Sequence, residues 1–145
     1  MAIPVLVFAS PKISESPPSA ADVAVAPFSI GTDSSGVLRA TADTCLERLI
    51  KGLREKGIAV AHHPQLSEKN LHAARPTPWA VLGDVRRAQD QFSAELRLLD
   101  VESGEEMRSY FDTDKDPQAI GDLGAAAAAR IALFIQERKG ARPGP

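Results

Sequence analysis

Three histidines are the most suggestive chemical groups in this sequence: the adjacent pair His62 and His63, and His72. Imidazole nitrogens are common zinc ligands. The pair falls in an apolar run typical of a β-strand, where adjacent side chains point to opposite faces, so only one of them could meet His72. No cysteine pattern completes a zinc site. We therefore expect no bound metal, and we expect these histidines at the surface or on an edge strand.

Asp112, Asp114 and Asp116 alternate like the first carboxylates of an EF-hand calcium loop. The sixth position of that loop requires glycine and the twelfth glutamate, but this chain has Pro117 and Leu123 there. The pattern therefore fails as a calcium site. Aspartate followed by proline is typical of a helix start, with Asp116 as the N-cap and Pro117 in the first turn.

Cys45 is the one thiol in the chain. It shares helical spacing with Leu38 and Leu49, which places it on the apolar side of an amphipathic helix. A buried thiol without a neighbouring base is inert, so we expect a core residue rather than a nucleophile. A single cysteine cannot form an internal disulfide, so the sequence neither requires nor excludes an oxidising compartment.

The segment "GTDSSG", residues 31–36, lies between a predicted strand and a predicted helix, where backbone amides can bind an anion. It lacks the lysine of a phosphate loop, and Asp33 would repel phosphate. A loop and capping role is therefore expected for Ser34 and Ser35. The alternative is a small-ligand-binding or enzymatic α/β domain with its site near residues 31–36.

Arg86 and Arg87 are adjacent in a predicted strand and therefore face opposite sides of the sheet. One of them is expected to form a cross-strand ion pair with Glu95, and a recognition role is the alternative. The remaining carboxylates of this region fall on predicted solvent-facing positions or turns, where solvation is the expected state. They are Glu102, Glu105 and Glu106.

Hydrophobic periodicity predicts the elements that position these groups. In "FSAELRLL", residues 92–99, apolar and polar side chains alternate, as in a strand with one buried face. Leucines and isoleucines recur at helical spacing before Gly57, which ends the first helix. Strands are predicted near 23–30, 58–63, 79–87, 92–101 and 106–112, main helices near 37–56 and 117–138, and a short helix at 67–74 capped by Ser67.

This order of elements, β-α-β followed by a β-meander, predicts an α/β fold with a mixed five-stranded sheet packed with two main helices. Residues 10–22 contain three prolines and four serines, which favours an extended linker. We expect residues 1–21 to form an N-terminal strand or arm with its linker, residues 22–140 the α/β domain, and residues 141–145 a flexible tail.

Composition narrows the classes of function. The chain has 145 residues, of which 43% are apolar and 25% charged, which suits one globular domain. Its net charge of -2, with both signs interleaved, provides no strong positive field for nucleic acid or an anionic membrane. No run approaches the roughly 20 apolar residues of a membrane span. We expect no nucleic-acid partner, no transmembrane segment and no cofactor.

The segment "WAVLGDVRRAQDQFSAELRLLDVESGEEM", residues 79–107, resembles the TolB amino-terminal domain, and CsgG-like envelope proteins show a related pattern. "VAVAPF", residues 23–28, resembles the opening strand of those families, and the resemblance covers roughly residues 22–138. The chain differs in having Ser103 where threonine is usual, and a short, proline-rich segment between the second and third strands. The matching positions are Trp79, Gly83, Val85-Arg86-Arg87, Asp100 and Gly104-Glu105.

The resemblance implies a non-enzymatic interaction or scaffold domain, an accessory protein of the bacterial cell envelope that is periplasmic or envelope-associated. Its partner would be another protein, or a second copy bound through the N-terminal segment. The apolar run Ile3–Ala9 could cover a sheet edge, because the linker at residues 10–22 spans up to about 40 Å when extended.

Overall fold

The structure is a computed structural model that describes residues 21–32 and 36–141. The predicted N-terminal arm, except for Ala21, and the tail beyond residue 141 lie outside the described residues. The mixed α/β architecture predicted from the sequence is confirmed. Its elements are β1 (Val23–Val25), β2 (Ser29–Ile30), α1 (Val37–Glu55), β3 (Val60–His62), a 3-10 helix (Glu68–Ala74), β4 (Trp79–Ala88), β5 (Gln91–Asp100), β6 (Glu106–Asp114) and α2 (Pro117–Ala141).

The sheet has the strand order β3-β1-β4-β5-β6, and β2 also pairs with β4. β1 runs parallel to β3 and β4, whereas β4, β5 and β6 form the predicted antiparallel meander. The described part of the chain therefore leaves two edges, the three-residue β3 and the nine-residue β6.

The sheet has six strands rather than five because the strand predicted at 23–30 divides around Pro27. Proline has no backbone N–H and cannot donate to a ladder. The interruption turns Phe28 into the core, where it is 2% exposed. Gly83 makes room for it, since a Cβ there would lie 2.5 Å from the Phe28 ring.

Both long helices pack on one face of the sheet and bury the main core. Small residues allow α1 and α2 to approach closely. A Cβ on Gly124 would overlap the backbone carbonyl of Cys45, and one on Gly52 would lie 2.6 Å from the Cβ of Ala128. The Asp116 carboxylate accepts the N–H of Gln118 at 2.9 Å, which confirms its predicted role as the helix cap.

The opposite face carries a smaller apolar cluster at one end. Leu66, Leu71 and Ala74, around the 3-10 helix, cover Ala80 and Leu99 there. Ser67 and Asn70 form a capping box, so the predicted N-cap stabilises the start of the 3-10 helix that covers this cluster. The rest of this face has no such cover among the described residues.

Within the described residues, α2 is long and apolar enough from Pro117 to Lys139 to cross a membrane, by length and composition alone. Half of its most apolar stretch is buried inside the fold. Packing against α1 and the sheet accounts for this composition, as in the core helix of any two-layer domain.

Candidate functional site

The candidate site is the uncovered part of the sheet face opposite the helices, which we call the open face. Residue alternation and the strand register place its side chains. Asp84 pairs with Glu95, Glu95 with Phe111, and Arg97 with Ser109. The open face comprises Asp84 and Arg86 of β4, Ser93, Glu95 and Arg97 of β5, and Ser109, Phe111 and Thr113 of β6.

A groove of about 470 Å³ runs between the open face and the segment that precedes and begins the 3-10 helix. Its floor and walls include the apolar side chains of Pro27, Leu66 and Leu82. Four carboxylates and two guanidinium groups line it, which leaves a net charge of -2. They are Glu68, Asp84, Glu95 and Glu106, with Arg86 and Arg97.

Arg97 joins the open face to the 3-10 helix. Its Nη2 lies 2.8 Å from Oε1 of Glu68, and its Nη1 lies 3.7 Å from Oε1 of Glu106. The hydrogen bond from Arg97 lowers the pKa of Glu68, and the same bond raises the pKa of Arg97. Arg97 is therefore held as a fixed cation between two carboxylates.

Arg86 and Asp84 form a second ion pair, with Nε of Arg86 2.6 Å from Oδ2 of Asp84. Ser29 donates its hydroxyl to the other oxygen of Asp84 at 2.8 Å. The hydrogen bond to Asp84 raises the pKa of Arg86. The ion pair lies within β4, and the hydrogen bond from Ser29 links β2 to it.

The predicted pairing of Glu95 with Arg86 or Arg87 is wrong. The register sets Arg86 opposite Ser93, and Asp84 opposite Glu95. The two arginines do face opposite sides, since Arg87 stacks over the Phe92 ring at 4.9 Å. Glu95 instead accepts a long hydrogen bond, 3.4 Å, from the hydroxyl of Ser109.

Phe111 is the most exposed large apolar side chain among the described residues, at 65%, and it lies on the open face at the edge strand β6. Sequence reasoning did not single it out. The signal was present in "RSYFDT", residues 108–113, where the alternation puts this phenylalanine on the solvent-facing side together with Ser109 and Thr113.

Cys45 is fully buried, as predicted. Burial raises the pKa of its thiol to about 11, against smaller lowering effects from the backbone of Gly124 and the charge of Arg48. A thiol with this pKa stays protonated near neutral pH, so it lacks the thiolate that nucleophilic catalysis requires.

His62 and His72 are exposed, and His63 is half-buried, with its Nδ1 lacking a hydrogen-bond partner. Across residues 21–32 and 36–141, no three His, Cys, Asp or Glu side chains are grouped so that they could hold a metal ion. The expectation that these histidines bind no metal stays a prediction.

The segment 31–36 is only partly described, because residues 33–35 fall in the gap. Gly36 precedes α1 with a φ of 81°, a left-handed conformation that favours glycine. The expected loop role of Ser34 and Ser35, and the alternative of a ligand site near residues 31–36, therefore stay predictions.

Comparison of the sequence with known proteins identifies no relative: no protein-family model matches it, and no curated protein matches it. The fold, in contrast, matches solved structures.

The PelC dodecamer from Paraburkholderia phytofirmans is 21% identical, matches 74% of this chain and 84% of its own, and has a TM-score of 0.54. The protein XCC0632 from Xanthomonas campestris, of family DUF330, is 14% identical over 82% of this chain and 88% of its own, also with a TM-score of 0.54. At these identities the likeness shows the fold alone.

TolB from Acinetobacter baumannii is also similar, at 20% identity over 79% of this chain and 28% of its own. Its TM-score of 0.46 is too low to carry an argument. The resemblance to TolB and CsgG-like domains in particular is therefore not confirmed.

Proposed function

We propose that this chain is a non-enzymatic protein-interaction or scaffold domain, an accessory protein of the bacterial cell envelope that resembles the TolB amino-terminal domain. The observation that carries the proposal is the open face together with its edge strand β6, where Phe111 is 65% exposed. An exposed aromatic side chain next to unpaired strand edges is typical of a surface that receives another polypeptide.

The chemistry of the described residues supports a binding role rather than catalysis. The thiol of Cys45 is buried and protonated, so it lacks the reactivity of a nucleophile. Arg86 and Arg97, which line the groove, are held by neighbouring carboxylates. The pKa values of both arginines are raised by these contacts, so both stay protonated at neutral pH and neither can act as a general base.

Assembly with other polypeptide chains is supported by the fold. PelC, whose fold this chain shares, is described as a dodecamer. We propose that this domain likewise binds a protein, including a second copy of itself, and that residues 1–21 form an arm attached to the domain at 22–140. A periplasmic or envelope-associated location belongs to the same proposal.

Photo-crosslinking in cells of the source organism tests this function. A benzophenone side chain placed at Phe111 should form covalent adducts with a polypeptide, recovered in the envelope fraction. The matched control places the same group at Lys51, an exposed position on α1, and should give far less adduct. Three results would contradict the proposal: equal labelling at both positions, the absence of any polypeptide adduct, or adducts found only in the cytosol.

A further inference from the structure

Two of the three most exposed large apolar side chains in the described residues lie on the same border of the molecule. Phe111 belongs to β6, the last strand of the sheet, and Leu133, 57% exposed, belongs to α2, which packs on β6. The third, Val37, begins α1. The border formed by β6 and α2 therefore exposes an apolar side chain in each of its two layers.

Helical geometry gives the direction of Leu133. It follows Gly124 by nine residues, which at about 100° per residue is two and a half turns, so the two residues lie on opposite sides of α2. Gly124 packs against the backbone of Cys45 in α1, so Leu133 lies on the flank of α2 that faces away from α1. Ala126 and Arg130 share this flank and are also exposed.

We propose that the border of β6 and α2 is a two-fold interface with a second copy of this chain. In it, β6 pairs antiparallel with β6 of the second copy, and the two α2 helices lie side by side. Such an interface is isologous, with the same patch used by both copies. The inference rests on the proposed function and specifies its partner and its surface.

The charges of β6 are self-complementary in one register. With the two-fold axis at Tyr110, Arg108 of each copy lies opposite Asp112 of the other. Opposite charges in directly facing positions stabilise a strand pair. Moving the axis by one residue, to Ser109, shifts the register by two residues and sets Arg108 opposite Tyr110, which removes both opposite-charge pairs.

Glu106 and Asp114 face each other in the favoured register, but only at the two ends of the ladder. A β-bulge at this end of β6 takes Glu106 out of the regular register, and Glu106 is held at 3.7 Å by Arg97 of its own chain. The repulsion is therefore weaker than the two central attractions between Arg108 and Asp112.

The same register covers the exposed apolar groups. On the open face, the two copies of Phe111 become diagonal neighbours across the axis, about 7–8 Å apart at Cα, within reach of aromatic rings. In the helix layer, the small side chain of Ala126 leaves room for Leu133 of the second copy. The other sheet edge, β3, has only three residues and offers a much shorter ladder.

Mass in solution tests the interface, by light scattering across a dilution series of the full chain. The chain mass is 15.4 kDa, and about twice that mass is expected at high concentration. Phe111→Ser with Leu133→Ser should weaken the dimer at least tenfold, whereas Val37→Ser, a matched change of an exposed apolar residue outside the border, should leave it unchanged.

A charge exchange tests the register. Arg108→Asp should dissociate the dimer by placing two carboxylates opposite each other, and adding Asp112→Arg to the same chain should restore it. In a Cys45→Ala background, Tyr110→Cys should form a disulfide-linked dimer on mild oxidation, since facing Cα atoms of paired strands lie within disulfide range. Circular dichroism checks that each variant is folded.

Three outcomes would overturn the interface: a single-chain mass at every concentration, a dimer unaffected by the border variants, or a charge exchange that fails to restore association. A dimer that is lost only on deletion of residues 1–20 would assign the contact to the N-terminal arm instead. If the chain is monomeric but position 111 still crosslinks to another polypeptide in cells, this inference fails while the proposed function stands.

Discussion

The two faces of the sheet use phenylalanine in opposite ways. On the helix-covered face, Phe92 is 3% exposed and belongs to the main core; on the open face, Phe111 of the neighbouring strand is 65% exposed. The covered face is closed by two helices in close contact, and the open face is crossed by ion pairs. The difference separates residues that hold the fold together from residues that are free to bind.

The largest expected contrast is between these two phenylalanines. Phe92→Ala should lower the free energy of unfolding by about 3–5 kcal/mol, because it removes a buried ring and leaves a cavity. Phe111→Ala should change it by less than about 1 kcal/mol in dilute, monomeric protein, since an exposed ring loses few contacts. Urea denaturation of both variants makes the comparison; equal losses would contradict the distinction between the faces.

The next effect is the alkaline instability of the covered face. Burial raises the pKa of Cys45 from 9.0 to about 11. Between these values the unfolded chain loses the thiol proton while the folded chain keeps it, so stability should fall as pH rises through this window, by up to about 3 kcal/mol.

Denaturation at pH 8 and near pH 11, for the wild type and for Cys45→Ala, isolates this contribution. The variant should lose less stability between the two pH values, because it has no thiol to titrate. Parallel losses in both proteins would show that Cys45 does not set the alkaline limit.

Close helix packing gives a third contrast. Gly124→Ala places a Cβ against the backbone carbonyl of Cys45, and overpacking of this kind should cost about 1–3 kcal/mol. Gly31→Ala is the matched control, because a Cβ there has nothing within 4 Å. Thermal unfolding should separate the two variants; a Gly124→Ala protein as stable as the control would mean that the helices can move apart freely.

The ion pairs of the open face should matter least to stability. Arg97→Met keeps the apolar stem and removes the contacts to Glu68 and Glu106, with an expected loss of about 0.5–1 kcal/mol. Lys115→Met is the control, since its pair with Asp90 is highly exposed on both sides. If Arg97→Met lowered the free energy of unfolding by several kcal/mol, the ion pairs of the open face would be needed for the stability of the fold.

The sign of the pH effect follows from the lowered pKa of Glu68. The contact with Arg97 stabilises the fold above the usual pKa of glutamate, near 4.5, and this stabilisation is lost as pH falls through the lowered pKa. The difference between the wild type and Arg97→Met should therefore be present at pH 7 and shrink at acidic pH.

Local sequence patterns predicted most of the fold. The alternation of residues 92–98 defines β5, Asp116-Pro117 starts α2, and Gly57, with a φ of 82°, ends α1. Long-range pairing was beyond these patterns: Arg97 meets Glu68, 29 residues away, because the 3-10 helix folds back over the sheet. The partner of Glu95 depended on a register that only the assembled sheet defines, whereas Arg86 pairs with Asp84, two residues earlier in the same strand.

The most direct test of the account is amide hydrogen exchange at the two edge strands, measured below and above the concentration at which the chain associates. If β6 and α2 form the contact, amides of Glu106–Asp114 should exchange more slowly in the concentrated sample, while those of Val60–His62 in β3 should exchange at the same rate in both. Unchanged exchange in β6, or equal slowing at both edges, would contradict it.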